Sequence, residues 1–113
     1  MSRSTRLTLF ALLVIAGSQA RAQIVTGTIS GTVTDPSGGV IPGATVTLTN
    51  QRTRDVRTLS TNEAGRFSFA AVQPGTYSLK IERSGFQTLV RSDVVLSANE
   101  NLALGELQLQ PGQ

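Results

Sequence analysis

The chain has no cysteine, no histidine and no tryptophan among its 113 residues. Without histidine and cysteine it cannot build a Ser-His-Asp triad, a thiol nucleophile or a zinc site of Cys and His ligands. Aromatic residues make up only 4% of the chain, which leaves few rings for stacking against sugars. Disulfides are excluded as well, so the folded part must rely on its hydrophobic core.

Residues 1–22 have the three parts of a secretory signal peptide. Two arginines give a basic start, and a run that is apolar except for one threonine, LTLFALLVIA, follows at residues 7–16. Ala20 and Ala22 occupy the small-residue positions that precede a signal peptidase cut. A transmembrane helix needs about 20 apolar residues, and this run has half that length. We therefore expect cleavage after Ala22, export from the cytoplasm, and one mature domain at residues 23–113 with no membrane span.

The excess of basic over acidic residues in the whole chain comes from the expected signal peptide. The full sequence has 10 basic and 7 acidic residues, a net charge of +3. Three of the arginines fall within residues 1–22, so the mature part carries as many basic as acidic residues. Such a balance gives no argument for binding nucleic acid. The absence of cysteine also excludes a lipid anchor at the cleavage site.

The mature part alternates apolar and polar residues with the period of two that is typical of β-strands. Gly/Pro turns separate the alternating stretches, and no helical period is present. Six or seven short strands are predicted, within residues 28–34, 44–49, 55–61, 66–70, 76–83, 87–96 and 102–109. The residues expected to face the core are Ile29, Val33, Val46, Leu48, Phe67, Phe69, Tyr77, Leu79 and Ile81. This organisation predicts an all-β sandwich.

The alternation is broken in two places. Val56 and Leu59 lie three residues apart and cannot share one face of a regular strand, which predicts a bulge or an edge position. Within residues 102–109, two pairs of leucines are out of phase with each other. A bulge at Gly105 would bring both pairs to the same side of the sheet.

No group of residues forms a catalytic, cofactor-binding or metal-binding motif, and we predict that the chain has no such site. The seven acidic residues are scattered singly over turns and outward positions, which indicates solvated surface charge. Glu106 is the acid whose orientation depends most on the bulge. Asp35 supplies one carboxylate to the turn DPSGG, whereas calcium loops need several, so we predict that it caps the turn. The sequence alone does not exclude a hydrolase that uses two carboxylates in catalysis.

Three other features have both a structural and a functional interpretation. Arg52, Arg54 and Arg57 lie beside Asp55 and favour a hairpin end kept in solution by charge over an anion-binding patch. The aromatic residues of the expected core alternate with polar residues, which favours burial over a sugar-stacking platform. Phe86 is the aromatic residue most open to exposure, and we expect it to close one end of the sandwich.

Four ordered motifs resemble the carboxypeptidase regulatory-like domain. They are GTVTDPSGGVIPGATVTL at residues 31–48, TNEAGRFSF at 61–69, PGTYSLKI at 74–81 and GF at 85–86. The resemblance covers residues 27–109. It implies a seven-stranded, transthyretin-like (prealbumin-like) β-sandwich, a fold that is also grouped with carbohydrate-binding-like folds. The matched positions are turn glycines, prolines and core residues, so no functional residue is carried over.

A signal peptide directly before this domain is similar to the N-terminus of Oar-like TonB-dependent outer-membrane receptors, in which a plug and a β-barrel follow. The sequence stops at Gln113, where the linker to the plug would begin. The resemblance therefore implies a non-catalytic periplasmic accessory module of a truncated or partial receptor. It would be associated with the outer membrane and would contact the plug and barrel or other envelope proteins. The alternative is a free-standing module that binds carbohydrate. Neither implies an enzyme, a cofactor or nucleic acid.

Overall fold

A computed structural model describes residues 25–112, and the expected signal peptide lies outside them. The strands are β1 (Gly27–Thr34), β2 (Thr45–Asn50), β3 (Val56–Ser60), β4 (Arg66–Val72), β5 (Gly75–Glu82), β6 (Leu89–Leu96) and β7 (Asn101–Gln108). The predicted all-β, seven-stranded architecture is confirmed. Within this range no helix has the length and apolar character needed to cross a bilayer.

The strands form two sheets that pack face to face around one core. The first sheet has the order β4–β1–β7, and the second has the order β3–β2–β5–β6. Neighbouring strands are antiparallel except for β1 and β7, which run parallel. Since β1 is the first strand and β7 the last, the chain enters at one end of the sandwich and leaves at the other.

The core consists of the inward residues of the period-two pattern. All nine residues predicted to face inward are buried. The remaining buried apolar residues are Ile41, Ala44, Val72, Val94, Leu96, Leu107 and Leu109. Phe67 and Phe69 meet edge to face with ring centroids 6.0 Å apart, a geometry that aromatic pairs prefer. Burial of each large apolar side chain contributes roughly 1.5–3 kcal/mol.

Gly31 occupies an inward position of β1, directly under an aromatic ring. It pairs with Phe67 of β4. A Cβ at this position would lie 2.9 Å from two carbons of the Phe67 ring. The glycine therefore makes room for the ring, and the ring covers the glycine backbone.

Within residues 25–112 three strands contain a β-bulge, and each bulge has a residue at positive φ. In β7 the register against β1 shifts between Ser30 and Thr32, opposite Gly105 with a φ of 74°. The predicted bulge at Gly105 is thereby confirmed. The other two bulges were not predicted. They lie at Asp93 in β6 (φ 58°) and at Ala71 in β4 (φ 53°).

The irregular spacing in β3 is explained by an edge position rather than by a bulge. β3 pairs only with β2, in continuous register from Thr49↔Val56 to Thr45↔Ser60. Val56 is 58% exposed on the outer face, whereas Leu59 packs against the core. Among the four edge strands of the described range, β3 is the one without a bulge.

Candidate functional site

Asp35 caps the turn that follows β1 with its own carboxylate. Its Oδ1 accepts hydrogen bonds from the Ser37 N–H (2.9 Å), the Ser37 hydroxyl (2.6 Å) and the Gly39 N–H (2.9 Å). These donors favour the charged form, so the Ser37 hydroxyl first and the Gly39 N–H second hold the pKa of Asp35 below its ordinary value of 3.8. The predicted capping role is confirmed, because these bonds hold the residue's own turn.

Asn62 caps the turn between β3 and β4 in the same manner. Its Oδ1 accepts hydrogen bonds from the N–H groups of Ala64 (2.9 Å) and Arg66 (3.0 Å). Gly65 follows at a φ of 73°, in the left-handed region that favours glycine. A Cβ on Gly65 would lie 2.8 Å from the Val33 carbonyl oxygen, so the turn packs closely against the end of β1.

The polar side chains inside the sandwich also hold the backbone in place. The buried Thr61 hydroxyl donates to the Ile41 carbonyl (2.7 Å) and accepts from the Ala44 N–H (2.9 Å). The Tyr77 hydroxyl donates to the Gln73 carbonyl at 2.5 Å, as in the tyrosine corner of other sandwich domains. Within residues 25–112 no buried side-chain nitrogen or oxygen lacks a partner. The interior of the described domain therefore presents no unpaired polar side chain.

The acidic residues are dispersed over the surface. In the part of the chain that the structure describes, no three of the residue types that bind metals come together. Glu106 pairs with Thr32 and is exposed on the outer face of the β4–β1–β7 sheet. Lys80 and Glu82 form an ion pair at 3.8 Å, with both side chains about half exposed. That the chain has no catalytic, metal or cofactor site stays a prediction.

The aromatic side chains belong to the core or to one end of the sandwich. The three rings predicted to be inward are at most 6% exposed. Phe86 packs against the core and forms a β-bridge with Pro111. Backbone hydrogen bonds of 2.8 and 2.9 Å tie residues 110–112 to residues 85–87 beside it. Phe86 thus closes the end at which the chain leaves, as predicted.

The basic cluster of the β2–β3 hairpin is divided between two roles. Arg52 and Arg54 are exposed at the tip, in agreement with a hairpin end kept in solution by charge. Arg57 is also exposed, but it has an additional role, because its side chain turns toward the other sheet. Its guanidinium donates to the Ala70 carbonyl at 2.8 Å and lies over the Phe69 ring, 5.6 Å from the centroid. The spacing of the arginines gave no signal of this, since the contact depends on how the two sheets pack.

Several shallow or small concave regions lie on the surface of the described residues, and two of them adjoin the sheets' outer face and seam. A groove of about 420 Å³ crosses the outer face of the β4–β1–β7 sheet and is lined by the side chains of Ser30, Thr32, Arg66, Ser68 and Ala103, among others. A pocket of about 170 Å³ lies beside the seam between the sheets, next to residues that include Asn50, Arg57 and Tyr77. The side chains of the groove are mostly small or hydroxyl-bearing, and they can contact another surface. They present no aromatic platform for a sugar.

Solved structures with this fold belong to proteins of different kinds. The 3-chlorocatechol 1,2-dioxygenase from Rhodococcus opacus 1CP has a TM-score of 0.60 at 12% identity, covering 80% of this chain and 61% of that one. The TIE protein of Bacillus anthracis has a TM-score of 0.60 at 22% identity, covering 77% and 17%. A type II cohesin–X-dockerin complex from Acetivibrio cellulolyticus has a TM-score of 0.60 at 23% identity, covering 76% and 58%.

These structural likenesses show the fold alone, because a fold of this kind hosts unrelated functions. The chain spans between 17% and 61% of the length of these three structures. No curated protein matches the chain in sequence. The family model for the carboxypeptidase regulatory-like domain matches residues 28–110, which include all seven strands except the first residue of β1. The chain therefore belongs to the carboxypeptidase regulatory-like domain family.

Proposed function

We propose that the chain is a non-catalytic module that connects flanking segments of an envelope protein and acts through protein contacts. The parallel pairing of β1 with β7 carries this proposal. The two strands pair from Thr28↔Asn101 to Thr34↔Gln108, so the chain enters at one end and leaves at the opposite one. The eight residues of β1 span about 26 Å, which sets the separation between whatever precedes and whatever follows the module.

The setting that we propose is the N-terminal, periplasmic domain of an Oar-like TonB-dependent receptor at the outer membrane. The signal-peptide pattern at residues 1–22, directly followed by the matched domain at residues 28–110, supports this setting. The partners would then be the plug and barrel of the receptor or other envelope proteins.

The way in which the polar side chains are used supports a non-catalytic role. The side chains that bind backbone groups at turns and strand ends include those of Asp35, Thr61, Asn62 and Tyr77. Without histidine or cysteine, no side chain has an ordinary pKa near neutrality, so acid–base catalysis would depend on a carboxylate. For the carbohydrate-binding alternative, no ring in residues 25–112 forms an exposed platform, and we do not favour it.

The coding sequence beyond Gln113 tests the receptor setting. We expect it to continue in frame into a plug and a β-barrel. A stop codon followed by an unrelated gene would contradict the receptor setting and would leave a free-standing module.

Processing is tested separately by the intact mass of the protein exported to the periplasm of a Gram-negative host. The mature protein should begin at Gln23. A periplasmic or membrane-bound form that retains residues 7–16 would contradict cleavage after Ala22.

A further inference from the structure

A sandwich of this kind leaves four strand edges open, and three of them are poorly suited to receive another strand. β4, β6 and β7 each contain a bulge with a residue at positive φ, namely Ala71, Asp93 and Gly105. A bulge bends the strand and interrupts the row of N–H and C=O groups that an added strand would need. β3 is the edge strand that keeps an unbroken register.

The two ends of the β2–β3 pairing determine which groups of β3 are bonded to β2. The Asn50 N–H donates to the Asp55 carbonyl, and the Thr61 N–H donates to the Ala44 carbonyl, both at 2.9 Å. In an antiparallel pair, hydrogen-bonded and non-hydrogen-bonded positions alternate. Every second residue from Asp55 to Thr61 therefore bonds to β2.

The residues between them, Val56, Thr58 and Ser60, direct their N–H and C=O groups away from β2. All three are exposed. Val56 adds an apolar side chain, 58% exposed, on the outer face of the sheet. Arg57 lies on the same strand, but its side chain leaves the sheet on the core side, opposite to Val56, and reaches the Ala70 carbonyl.

The charges at the two ends of β3 differ in sign. Arg52 and Arg54 are exposed at the hairpin tip, and neither forms an ion pair within residues 25–112. Asp55 is the one acid between them and the strand. Glu63 is exposed in the turn beyond Ser60. A strand laid along β3 is therefore favoured when its acidic end lies at the arginine tip.

We propose that β3 is a docking edge for an extended, acidic segment of a partner protein. The segment adds a fifth strand to the β3–β2–β5–β6 sheet, and its backbone pairs with Val56, Thr58 and Ser60. Its carboxylates lie against Arg52 and Arg54. This proposal rests on the contact role proposed above, for which it names the kind of partner. A second copy of the chain is the competing occupant. The contact area that a five-residue strand offers is small compared with the roughly 800 Å² per partner that a stable protein interface buries, which argues against a stable dimer.

The test uses three synthetic peptides titrated into the folded domain. TVTVTEE presents its acids to the arginine tip when it adds antiparallel to β3, EETVTVT does so when it adds parallel, and TVTVTKK reverses the charge. We expect one acidic peptide to bind at least about tenfold more tightly than TVTVTKK, with the largest amide shifts in NMR spectra at Val56, Thr58 and Ser60. Equal binding of all three peptides, no binding, or shifts centred on another edge would overturn the proposal.

Two variants separate the backbone contribution from the charge contribution. Thr58→Pro removes an N–H that is unbonded in the free domain, so the fold tolerates it on an edge strand while peptide affinity falls about tenfold or more. Thr58→Ala keeps that N–H and should bind within about twofold of the parent. If Thr58→Pro does not fold, the double change Arg52→Glu with Arg54→Glu provides the test, because it should reverse the preference between the acidic and basic peptides.

Sedimentation of the free domain decides between a partner and a second copy. A monomer at the concentrations used for the titration is expected. Self-association that Thr58→Pro abolishes would overturn the partner segment in favour of a second copy. An unrelated gene downstream together with peptide binding would remove the receptor setting and leave the docking edge intact.

Discussion

The guanidinium carbon of Arg57 lies 5.6 Å from the centre of the Phe69 ring. Arg57 comes from β3 at the edge of one sheet, and Phe69 comes from β4 at the edge of the other. The same guanidinium donates to the Ala70 carbonyl at 2.8 Å. The side chain thus spans the open seam between the sheets, which explains how an arginine occupies an inward position of a strand.

Arg57→Met retains an apolar stem but removes the charge, the ring contact and the hydrogen bond. It should lower the free energy of unfolding by about 1 kcal/mol, measured by urea denaturation. Arg52→Met at the exposed hairpin tip is the matched control and should change stability by less than about 0.5 kcal/mol. Equal denaturation midpoints for the two variants would show that Arg57 does not join the sheets.

Phe69 is 1% exposed, and it is the largest of the fully buried side chains. Its replacement by alanine should cost roughly 3–5 kcal/mol, because the cavity left by the ring cannot fully collapse. The total free energy of unfolding of such a domain is on the order of 5–10 kcal/mol, so this loss is a large share of it. Val95→Ala, at a side chain that is 61% exposed, is the control. A thermal melt of Phe69→Ala that matched the parent would refute the inward assignment of β4.

Adding a side chain at Gly31 or at Gly105 should lower the stability of the domain, for a different physical reason at each position. Gly105 has a φ of 74° and open space around its missing Cβ, so Gly105→Ala should cost only the conformational penalty of about 1–2 kcal/mol. Gly105→Asn should cost less, because asparagine tolerates this region. Gly31→Ala places a Cβ 2.9 Å from the Phe67 ring and must displace it. Thermal melts in which Gly31→Ala is as harmless as Gly105→Asn would contradict the packing of that ring.

Asp35 should make stability depend on pH in the acid range. The Ser37 and Gly39 donors lower the pKa of its carboxyl below 3.8, so the stabilisation is fully present above that pH. It declines as the pH falls from 3.8 toward the lower pKa of the folded state, and it is lost below that pKa. Urea denaturation should therefore show a gap between the parent and Asp35→Ala that is constant near neutrality and shrinks in acid. A gap that did not change with pH would show that the carboxylate's charge is not involved.

The alternation of apolar and polar residues predicted most of the fold, because each strand buries one face. A shift of one residue in the alternation would expose the apolar face. The bulge at Gly105 could be predicted because a glycine lies where the phase slips. The bulge at Asp93 has the same kind of slip, between Leu89 and Val94, but no glycine to mark it. Ala71 lies beyond the predicted end of its strand, and alanine gives no sign of a positive φ.

The proposed docking edge could not be predicted from the local sequence pattern. The spacing of Val56 and Leu59 indicated a bulge or an edge, and only the pairing of distant strands decides between them. Which of the four edges stays regular depends on bulges in β4, β6 and β7, two of which the sequence did not reveal. The role of Arg57 depends likewise on the approach of two sheets whose order is set by long-range contacts.

The chain passes through the module from one end to the other, and a distance between two spin labels tests this directly. Because the chain has no cysteine, Thr26→Cys and Gln110→Cys can be labelled without background. The parallel pairing of β1 and β7 predicts a single distance of about 25–35 Å. The pair Thr26→Cys and Ala98→Cys, both at the entry end, should lie within about 20 Å of each other. A distance below about 15 Å between positions 26 and 110 would place both ends of the domain together and would contradict the connecting role.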